Sequence, residues 1–571
     1  MLGVERVRSA DSLDQFLSDP CDETNPLSFA QILRADENRE LPSAGERLLD
    51  EWGFNAEFVP RRLGGRLCGM DRLIDAARPV FRRDAALGLG YGVTSLMAAV
   101  NVWAAGSEEQ QLRLSQLLLS GQKVAIAYHE LDHGNDFLRN ELRASVTDGK
   151  VTINGSKQVI NNVERAPAIV LFARTGDTQS GRDHSVIFFE KSSIAAGHME
   201  YLARYRTVGV RGCWLGGIRF VDAIVPQDCI VGGIGTGVEI AMRSFQVTRT
   251  VVPGMAIGIF DTGLRSVLDF ASHRSLYSGF ASEIPHVRNL LAKAFIDLLI
   301  ADCLVHTVAR GLHIAPSQSS AHSAAVKYLV PLMIEEGMNE LSSVLSARSY
   351  LRSGRYAIFG KHLRDVPVIS LGHAGGIACL LNIIPQLPLL AKRAADADGP
   401  ADELFDLETT LGAINFERLS ILVTGGDSVM ETLAVSHREL SDRDYEAKLV
   451  APLLMEFVHH ASALWTESRH LPLNERGAAA SPGTIGLAMR YSILLAAAAC
   501  VGTWRFHRRF GGDKFLSSTS WILAALTRLR ERLVGIRRAL PHELCEDLFS
   551  ELFHRFNSNC FFDLRGLQGR G

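Results

Sequence analysis

The sequence lacks three features that would each place it in a specialised class of protein. Its nine cysteines are scattered from Cys21 to Cys560 without a C-x-x-C pair, which argues against a disulfide framework or a zinc cage. Its charge is nearly balanced, with 60 Lys and Arg against 63 Asp and Glu, so neither a nucleic-acid partner nor a polybasic membrane contact is expected. We therefore expect reduced thiols, no structural metal and a small-molecule ligand.

Long apolar runs are also scarce. The stretch MLGVERVRSADSLDQ at the start contains charges and no apolar h-region, so neither a signal peptide nor a transit peptide is predicted and a cytoplasmic location is expected. The most apolar stretch, residues 491–504, has about 14 residues where a bilayer span needs roughly 20. A buried helix explains it better, and no membrane span is predicted.

The chain of 571 residues is long enough for several domains. Apolar residues recur at helical spacing over residues 27–120, whereas short β-branched and aromatic runs such as IVLFAR (169–174) begin after Val124. The helical period returns after Gly233 and continues in most of the remaining sequence. This pattern predicts an α+β protein with four parts: an N-terminal α-helical domain (1–122), a central β domain (123–235), a helical bundle domain (236–395) and a C-terminal helical extension (396–571).

Four motifs carry a resemblance to one family. AYHELDHGND at 127–136 resembles the pattern A-L-T-E-P-x-x-G-S-D, and NGSKQVINN at 154–162 resembles N-G-x-K-x-W-I-T-N. Residues 208–242 are similar to the segment that joins the central and third domains of that family, and 248–274 to the helix that follows. These motifs lie in the order found in the acyl-CoA dehydrogenase superfamily, and together the resemblance covers roughly residues 30–390.

The resemblance implies a fold and a chemistry. The fold is an N-terminal α-helical domain, a central β-barrel-like domain, a C-terminal four-helix bundle and an extra helical domain, similar in length to very-long-chain acyl-CoA dehydrogenases and acyl-CoA oxidases. The cofactor is FAD, and the substrate is an acyl-CoA or acyl-carrier-protein thioester. In the family a carboxylate removes the α-proton while hydride passes from the β-carbon to flavin N5, so the protein contributes positioning and electrostatics.

The resemblance places the flavin against Ala127, His129, Asn135, Val159 and Asn161. His129 and Asn161 stand where the family usually has hydroxyl residues, and either side chain can donate a hydrogen bond. Val159 stands where many members stack a tryptophan. The alternative for His129 is an ordinary loop histidine, and for Asn135, which replaces a serine, a simple turn residue.

A second group of residues is implied at the adenine end of the cofactor. Arg274 matches an arginine that reaches the flavin pyrophosphate, and Tyr277 lies beside it; the alternative is a solvated arginine at a helix C-terminus. Relatives receive such contacts from a neighbouring subunit, so a homodimer or homotetramer is expected. The segment 346–356 lies where that contact is usually made but lacks the usual Q-x-x-G-G pattern. The glycines at 232–237 are interpreted as a turn and not as a dinucleotide fingerprint.

The catalytic base departs from the family pattern. Members place a glutamate either in a loop near the end of the third domain or just before the arginine that corresponds to Arg249, where this chain has Thr248. The loop at 363–384 has no carboxylate after Asp365 and carries His373 at or next to the expected place. His373 is therefore a candidate base, since imidazole with a pKa of about 6.5 accepts a proton at neutral pH, and the resemblance makes Arg249 the second candidate catalytic residue. The alternative is an ordinary loop histidine in a chain without the usual α,β-dehydrogenation.

Three functions follow from this departure. The leading prediction is an FAD-dependent oxidoreductase acting on an acyl thioester, with an atypical base and a place in natural-product biosynthesis. A flavin-dependent monooxygenase or a non-oxidative cyclising enzyme on the same fold is the second, because such relatives work without the standard glutamate. A catalytically inactive partner subunit is the third. The electron acceptor is not predicted by the sequence.

Overall fold

The computed structural model describes residues 10–178, 180–372, 374–394, 399, 401–440 and 445–569. Helices of the first region precede the sheet, and their bounds are α1 Ala10–Leu17, α2 Phe29–Asn38, α3 Ser43–Trp52, α4 Met70–Arg83, α5 Ala85–Gly88, α6 Thr94–Ala105 and α7 Glu108–Leu119. A π-helical turn, Leu89–Val93, joins α5 to α6. Ser107 and Gln110 form a reciprocal capping box at the start of α7, which explains the polar break between α6 and α7.

The middle of the chain forms one eight-stranded sheet. Its strands are β1 Val124–Ala127, β2 Arg143–Thr147, β3 Lys150–Asn161, β4 Ala168–Arg174, β5 His184–Glu190, β6 Met199–Leu202, β7 Leu215–Pro226 and β8 Ile230–Val231. The hydrogen-bonded order is β6-β7-β3-β2-β4-β5-β8, and β1 pairs with β4 in parallel. The pairing of β3 with β7 shifts register between Gln158 and Ile160, so β3 bends near its end.

The rest of the chain is helical apart from a short hairpin, β9 Ser275–Leu276 and β10 Gly279–Phe280. Three long helices follow the sheet: α8 Gly237–His273, α9 Pro285–Ile314 and α10 Ser319–Leu345. Shorter helices come next, namely α11 Ala357–Asp365, α12 Pro367–Leu371, α13 Gly376–Ile383 and α14 Leu387–Lys392. The last region contains α15 Ser428–Glu439, α16 Tyr445–Arg469, α17 Pro482–Phe510, α18 Lys514–Ser517, α19 Thr519–Val534 and α20 His542–Asn557. The structure confirms the predicted α+β organisation. Helices precede the strands of the sheet along the chain, and further helices follow them.

Helix α8 is buried along most of its length because small residues let neighbouring helices approach it. A Cβ added at Gly258 would lie 2.7 Å from the backbone oxygen of Arg78 in α4, and one at Gly254 would lie 2.5 Å from Val305 in α9. These glycines therefore set the spacing of α4, α8 and α9. Apolar side chains from all three helices join the larger of two hydrophobic cores, and the interior of the sheet forms the smaller one.

The C-terminal tail, residues 558–569, packs back onto α4, α8 and α9. The Phe562 N–H donates to Asp261 over 2.7 Å, and the Leu564 N–H donates to Asp302 over 2.9 Å. Arg78 is buried at the centre of this contact, where it binds Asp302 and, over 3.1 Å, Asp563. The tail is thus held by charges that belong to the first and third regions of the chain.

Four helical stretches are long and apolar enough to cross a membrane by length and composition alone: Ala85–Ala105, Gly237–His273, Ala357–Lys392 and Pro482–Phe510. In three of them, between 72% and 94% of the most apolar window is buried inside the protein. Residues 491–504 lie within α17 and are buried throughout. The window in Ala357–Lys392 is 29% buried, and Leu371 and Ile377 are among its exposed apolar side chains.

Candidate functional site

The turn after β1 is fixed to the third region by aromatic contacts. The Tyr128 ring lies 4.9 Å from that of Phe172 in β4 and 6.1 Å from that of Phe245 in α8, measured between centroids. Its hydroxyl donates to Asn101 in α6 over 2.8 Å. Phe137, at the other end of the turn, lies 5.6 Å from Phe245 edge to face. Residues 128–137 therefore pack against α8, and we call the region bordered by this turn, the end of β3 and α8 the candidate cleft.

A buried ion pair holds this turn against β3. Lys157 Nζ lies 2.8 Å from Glu130 and also donates to the Tyr128 carbonyl over 3.3 Å. Glu130 accepts two further hydrogen bonds from the N–H groups of Glu141 and Leu142, at 2.7 and 3.1 Å. Burial lowers the pKa of Lys157 to about 8. Burial alone would raise the pKa of Glu130, but Lys157 and the two N–H donors hold it below its usual value.

His129 faces outward from this turn as a half-buried side chain. Its Nδ1 lies 3.3 Å from the carbonyl of Gln158, and since a carbonyl only accepts, Nδ1 must carry the hydrogen. Burial lowers the pKa of His129, so the ring is neutral at pH 7 and Nε2 is an acceptor. Because Nδ1–H is already donated to the Gln158 carbonyl, Nε2 is the atom of His129 that remains for a ligand.

The end of β3 supplies the next two predicted residues. Val159 lies at the register shift with φ of 58°, a conformation that β-branched residues adopt rarely. Asn161 is buried, and its amide donates to the Leu89 carbonyl and to Thr94 over 3.1 and 3.2 Å. Its side-chain oxygen has no hydrogen-bond partner among the described residues. The end of β3 therefore borders the π-helical turn Leu89–Val93. It combines an unfavourable backbone conformation at Val159 with an unpaired buried oxygen of Asn161.

The loop that includes Gly375 lies against the turn after β1. A Cβ added at Gly375 would lie 3.2 Å from the side-chain nitrogen of Asn135, so this loop touches the turn after β1. Lys327 in α10 donates to the carbonyls of Ile369 and, over 2.7 Å, Gly372. His373 lies outside the described residues, but its neighbour Gly372 is held by Lys327. Asn135 itself is exposed in the turn.

Arg249 lies in α8 beneath this loop. It is 4% exposed, and its guanidinium stands 5.2 Å from the centroid of the Phe245 ring. Its Nε has no hydrogen-bond partner among the described residues. Burial lowers the pKa of Arg249, and Cys379 in α13 is the titratable group that acts on it in the opposite direction. Arg249 thus contacts Phe245, and the Phe245 ring in turn contacts Tyr128 and Phe137.

Neither of the two positions at which family members carry the catalytic glutamate holds a carboxylate in this chain. Thr248 donates to the carbonyls of Ser244 and Phe245 one turn earlier in α8, at 3.3 and 3.4 Å. Asp365 is buried in ion pairs with Lys361 and Arg364, at 2.8 Å each, and accepts from the Val210 N–H. These partners hold the pKa of Asp365 low despite its burial, so it is a structural anchor and not a base. Among the described residues, no group of three or more His, Cys, Asp and Glu could hold a metal ion.

The structure does not bring Arg274 and Tyr277 to this cleft. Arg274 follows the last residue of α8 and lies 25 residues from Arg249, which is roughly 37 Å along a helix. Arg274 is exposed, and Tyr277 is 100% exposed with φ of 56°. Tyr350, in the segment 346–356, is 89% exposed. The predicted site is therefore divided: residues 127–161 and Arg249 surround one cleft, and Arg274 and Tyr277 lie on a distant surface.

Sequence reasoning missed the charged residues that shape the cleft. Lys157 and Glu130 lie within two of the family motifs without a predicted role, although a lysine at a buried position of a strand signals a buried partner. Lys327 stands alone in the apolar helical stretch around α10, which is a similar signal. Nothing in the sequence indicated that Phe245 belongs to the site, because it is one of many residues on the apolar face of α8.

Comparison with known proteins supports a common origin for the fold. Residues 235–386 match the family model described as the acyl-CoA dehydrogenase C-terminal domain. The chain is 24% identical over 265 residues to the mitochondrial isovaleryl-CoA dehydrogenase of Oryza sativa subsp. japonica. That match covers 46% of this chain and 64% of the rice protein, so less than two thirds of the relative is spanned.

Two solved structures have a similar fold. The crystal structure of an acyl-CoA dehydrogenase complexed with FAD from Bacillus anthracis has a TM-score of 0.71 and 15% identity, with 95% of this chain and 90% of that chain covered. The prolyl acyl carrier protein oxidase AnaB has a TM-score of 0.55 and 19% identity, with 65% and 97% covered. The first match extends over nearly the whole chain, including the C-terminal helical region.

Proposed function

The chain belongs to the acyl-CoA dehydrogenase superfamily, and from this premise we propose that it is an FAD-dependent oxidoreductase that acts on an acyl thioester. The observation that carries the proposal is the cleft between residues 128–137, the end of β3 and α8. The region contains aromatic rings in mutual contact and buried polar atoms that lack partners among the described residues. Apolar walls with a few convergent polar groups are typical of cofactor sites.

The residues of the cleft suit a flavin ring. His129 Nε2 is an acceptor that matches donors such as the imide N–H of isoalloxazine and the ribityl hydroxyls, and the buried Asn161 side-chain oxygen is a second unpaired acceptor in the same region. We assign Ala127, Asn135 and Val159 to the remaining contacts with the flavin. When bound, FAD supplies the acceptor for a hydride from the substrate β-carbon. The protein holds that cofactor in place and excludes water from the cleft.

We propose that a second copy of the chain accounts for the position of Arg274 and Tyr277 far from their own cleft. Arg274 and Tyr277 lie too far along α8 to reach a cofactor in their own cleft, so we assign them to the pyrophosphate and adenine of a neighbouring subunit's FAD. Homo-oligomerisation is therefore part of the proposal, with a planar arginine as the phosphate ligand.

His373 is the proposed base. Thr248 and Asp365 are both occupied by other contacts, and no other carboxylate lies between residues 363 and 384. Lys327 binds the carbonyls of Gly372 and Ile369, and Gly375 approaches Asn135 in the turn after β1. In this proposal the neutral imidazole of His373 takes the α-proton of the thioester at neutral pH. This atypical base favours a substrate outside ordinary β-oxidation, presented on coenzyme A or, as the name of the oxidase AnaB indicates for that protein, on an acyl carrier protein.

The test combines cofactor loading with proton exchange. The FAD-loaded protein is incubated in D2O with a panel of acyl-CoA and acyl-carrier-protein thioesters, and deuterium at the α-carbon is measured by mass spectrometry. His373→Gln should abolish exchange while FAD content is retained, and the exposed His470→Ala should behave as the wild type. Bleaching of the flavin by a thioester identifies dehydrogenation. Exchange that persists in His373→Gln contradicts the base assignment, and a protein that takes up no FAD contradicts the whole proposal.

A further inference from the structure

Four aromatic rings fill the space between the turn after β1, strand β4 and α8. The centroids of the Tyr128 and Phe172 rings are 4.9 Å apart, and those of Phe137 and Phe172 are 5.4 Å apart. Phe245 completes the group, since its ring lies 5.6 Å from that of Phe137 and 6.1 Å from that of Tyr128. Tyr128, Phe172 and Phe245 are between 0% and 8% exposed. Rings at these distances are in contact, so the protein itself occupies the space between them.

Further packed atoms enclose these rings. The His184 ring stacks on Phe172, with centroids 4.9 Å apart and planes at 9°. A Cβ added at Gly237, in the first turn of α8, would lie 2.7 Å from the His184 carbonyl oxygen, so β5 touches the start of α8. The end of β3 is bonded to the π-helical turn, because the Asn162 amide donates to the Gly90 carbonyl over 2.6 Å. The interior next to the candidate cleft is therefore closely packed.

Buried hydrogen bonds hold the Tyr128 ring in this position. Its hydroxyl donates to the Asn101 side-chain oxygen over 2.8 Å, and the same oxygen accepts the Ser244 hydroxyl over 2.9 Å. The Asn101 amide donates in turn to the Met97 carbonyl over 2.8 Å, and both Asn101 and Ser244 are 1% exposed. Burial raises the pKa of Tyr128, so the hydroxyl keeps its proton and remains a donor. A movement of the ring would cost this hydroxyl its partner inside the protein, which opposes the movement.

We propose that Tyr128, held by Asn101 and Ser244, restricts the acyl group to short chains, so that the preferred substrates are short-chain acyl thioesters. A long apolar chain gains affinity only where it can leave water, and the apolar interior beside the candidate cleft is occupied by the protein's own rings. Tyr128 determines specificity because it belongs to the turn that borders the cleft and reaches across to α6. Asn101 and Ser244 are positioning residues. The inference rests on the proposed function, because it names the substrate class of the same site.

The first test titrates the FAD-loaded protein with butanoyl-CoA, octanoyl-CoA and dodecanoyl-CoA and follows the flavin absorbance. The wild type should bind butanoyl-CoA about tenfold or more tightly than dodecanoyl-CoA. Tyr128→Ala should gain affinity for octanoyl-CoA, about fourfold for each methylene that the opened space buries, whereas Tyr128→Phe keeps the ring and should keep the preference for butanoyl-CoA. The exposed Phe510→Ala should behave as the wild type.

Two results of this titration overturn the inference. One is wild-type binding of dodecanoyl-CoA that equals or exceeds binding of butanoyl-CoA, and this comparison decides even if Tyr128→Ala does not fold. The other is a folded, FAD-loaded Tyr128→Ala that keeps the wild-type order of affinities. Failure of the proposed function has a different signature, namely no FAD uptake and no response to any thioester.

The second test needs neither cofactor nor thioester. Tyr128→Ala removes a phenol group from the packed interior, and free phenol can refill that space and donate to Asn101. Phenol should raise the melting temperature of Tyr128→Ala by about 2 °C or more relative to its effect on the wild type, and it should do so more than benzene does. Adding Asn101→Leu to Tyr128→Ala should remove the advantage of phenol over benzene. Equal stabilisation of the wild type by phenol would show that the space is already open, and it would overturn the inference.

Discussion

The ion pair between Lys157 and Glu130 leads to the most sharply defined prediction about the site. Lys157→Met removes the cation and leaves Glu130 buried with two N–H donors but without its counter-charge. Breaking one partner of a buried pair costs about 3–5 kcal/mol, because the other charge is left uncompensated. Part of the cost falls on the turn 128–137 itself, since Lys157 also binds the Tyr128 carbonyl. We therefore expect the turn to open more often, and FAD binding to weaken.

Hydrogen exchange of peptides from residues 124–161, followed by mass spectrometry, measures this opening directly. A loss of about 3 kcal/mol in local stability corresponds to roughly a hundredfold faster exchange. Lys150→Met is the matched control, because it makes the same change at the exposed start of the same strand. The double variant Lys157→Met with Glu130→Gln should recover part of the loss, since no charge is then left buried alone. Exchange within threefold of the wild type in Lys157→Met would refute the reasoning.

Three further predictions concern the scaffold and the distant surface. Arg78→Met should release the C-terminal tail, since Asp302 and Asp563 lose their shared cation, and limited proteolysis should then cleave within 558–569, whereas the exposed Arg143→Met should not have this effect. Gly258→Ala should lower stability by about 1–3 kcal/mol in thermal or denaturant unfolding, because its Cβ would lie 2.7 Å from the Arg78 carbonyl oxygen. Arg274→Gln and Tyr277→Ala should leave the melting temperature of the cofactor-free protein unchanged, since both side chains are exposed, but should reduce FAD retention on dialysis.

The order of helical and β regions could be predicted from the sequence because it depends on local periodicity. The start of the sheet at Val124 and the start of α8 at Gly237 lie close to the expected changes in pattern. The superfamily was likewise recognisable, since its motifs are contiguous runs, and the family match over 235–386 confirms that prediction. The assignments of individual site residues, including His373 and Arg249, stay predictions.

Long-range charge pairs could not be predicted from the sequence. Arg78 and Asp563 are 485 residues apart in the chain, and nothing local to either residue indicates the other. The hydrogen bond of His129 could not be predicted either, because its acceptor, the carbonyl of Gln158, lies in strand β3, 29 residues further along the chain. The absence of a partner for Arg249 among the described residues is equally a property of the packed structure, because it depends on every group that surrounds the side chain.

The central claim is that a flavin occupies the cleft between residues 128–137, the end of β3 and α8. Its most direct test is the visible absorption spectrum of the purified protein after incubation with FAD and gel filtration, with the flavin-to-protein ratio as the result. The account predicts about one FAD per chain in the wild type, and a clearly lower ratio when Gly375 is replaced by Trp to fill the space beside Asn135. A colourless protein, or a ratio that this cleft-filling variant leaves unchanged, would contradict it.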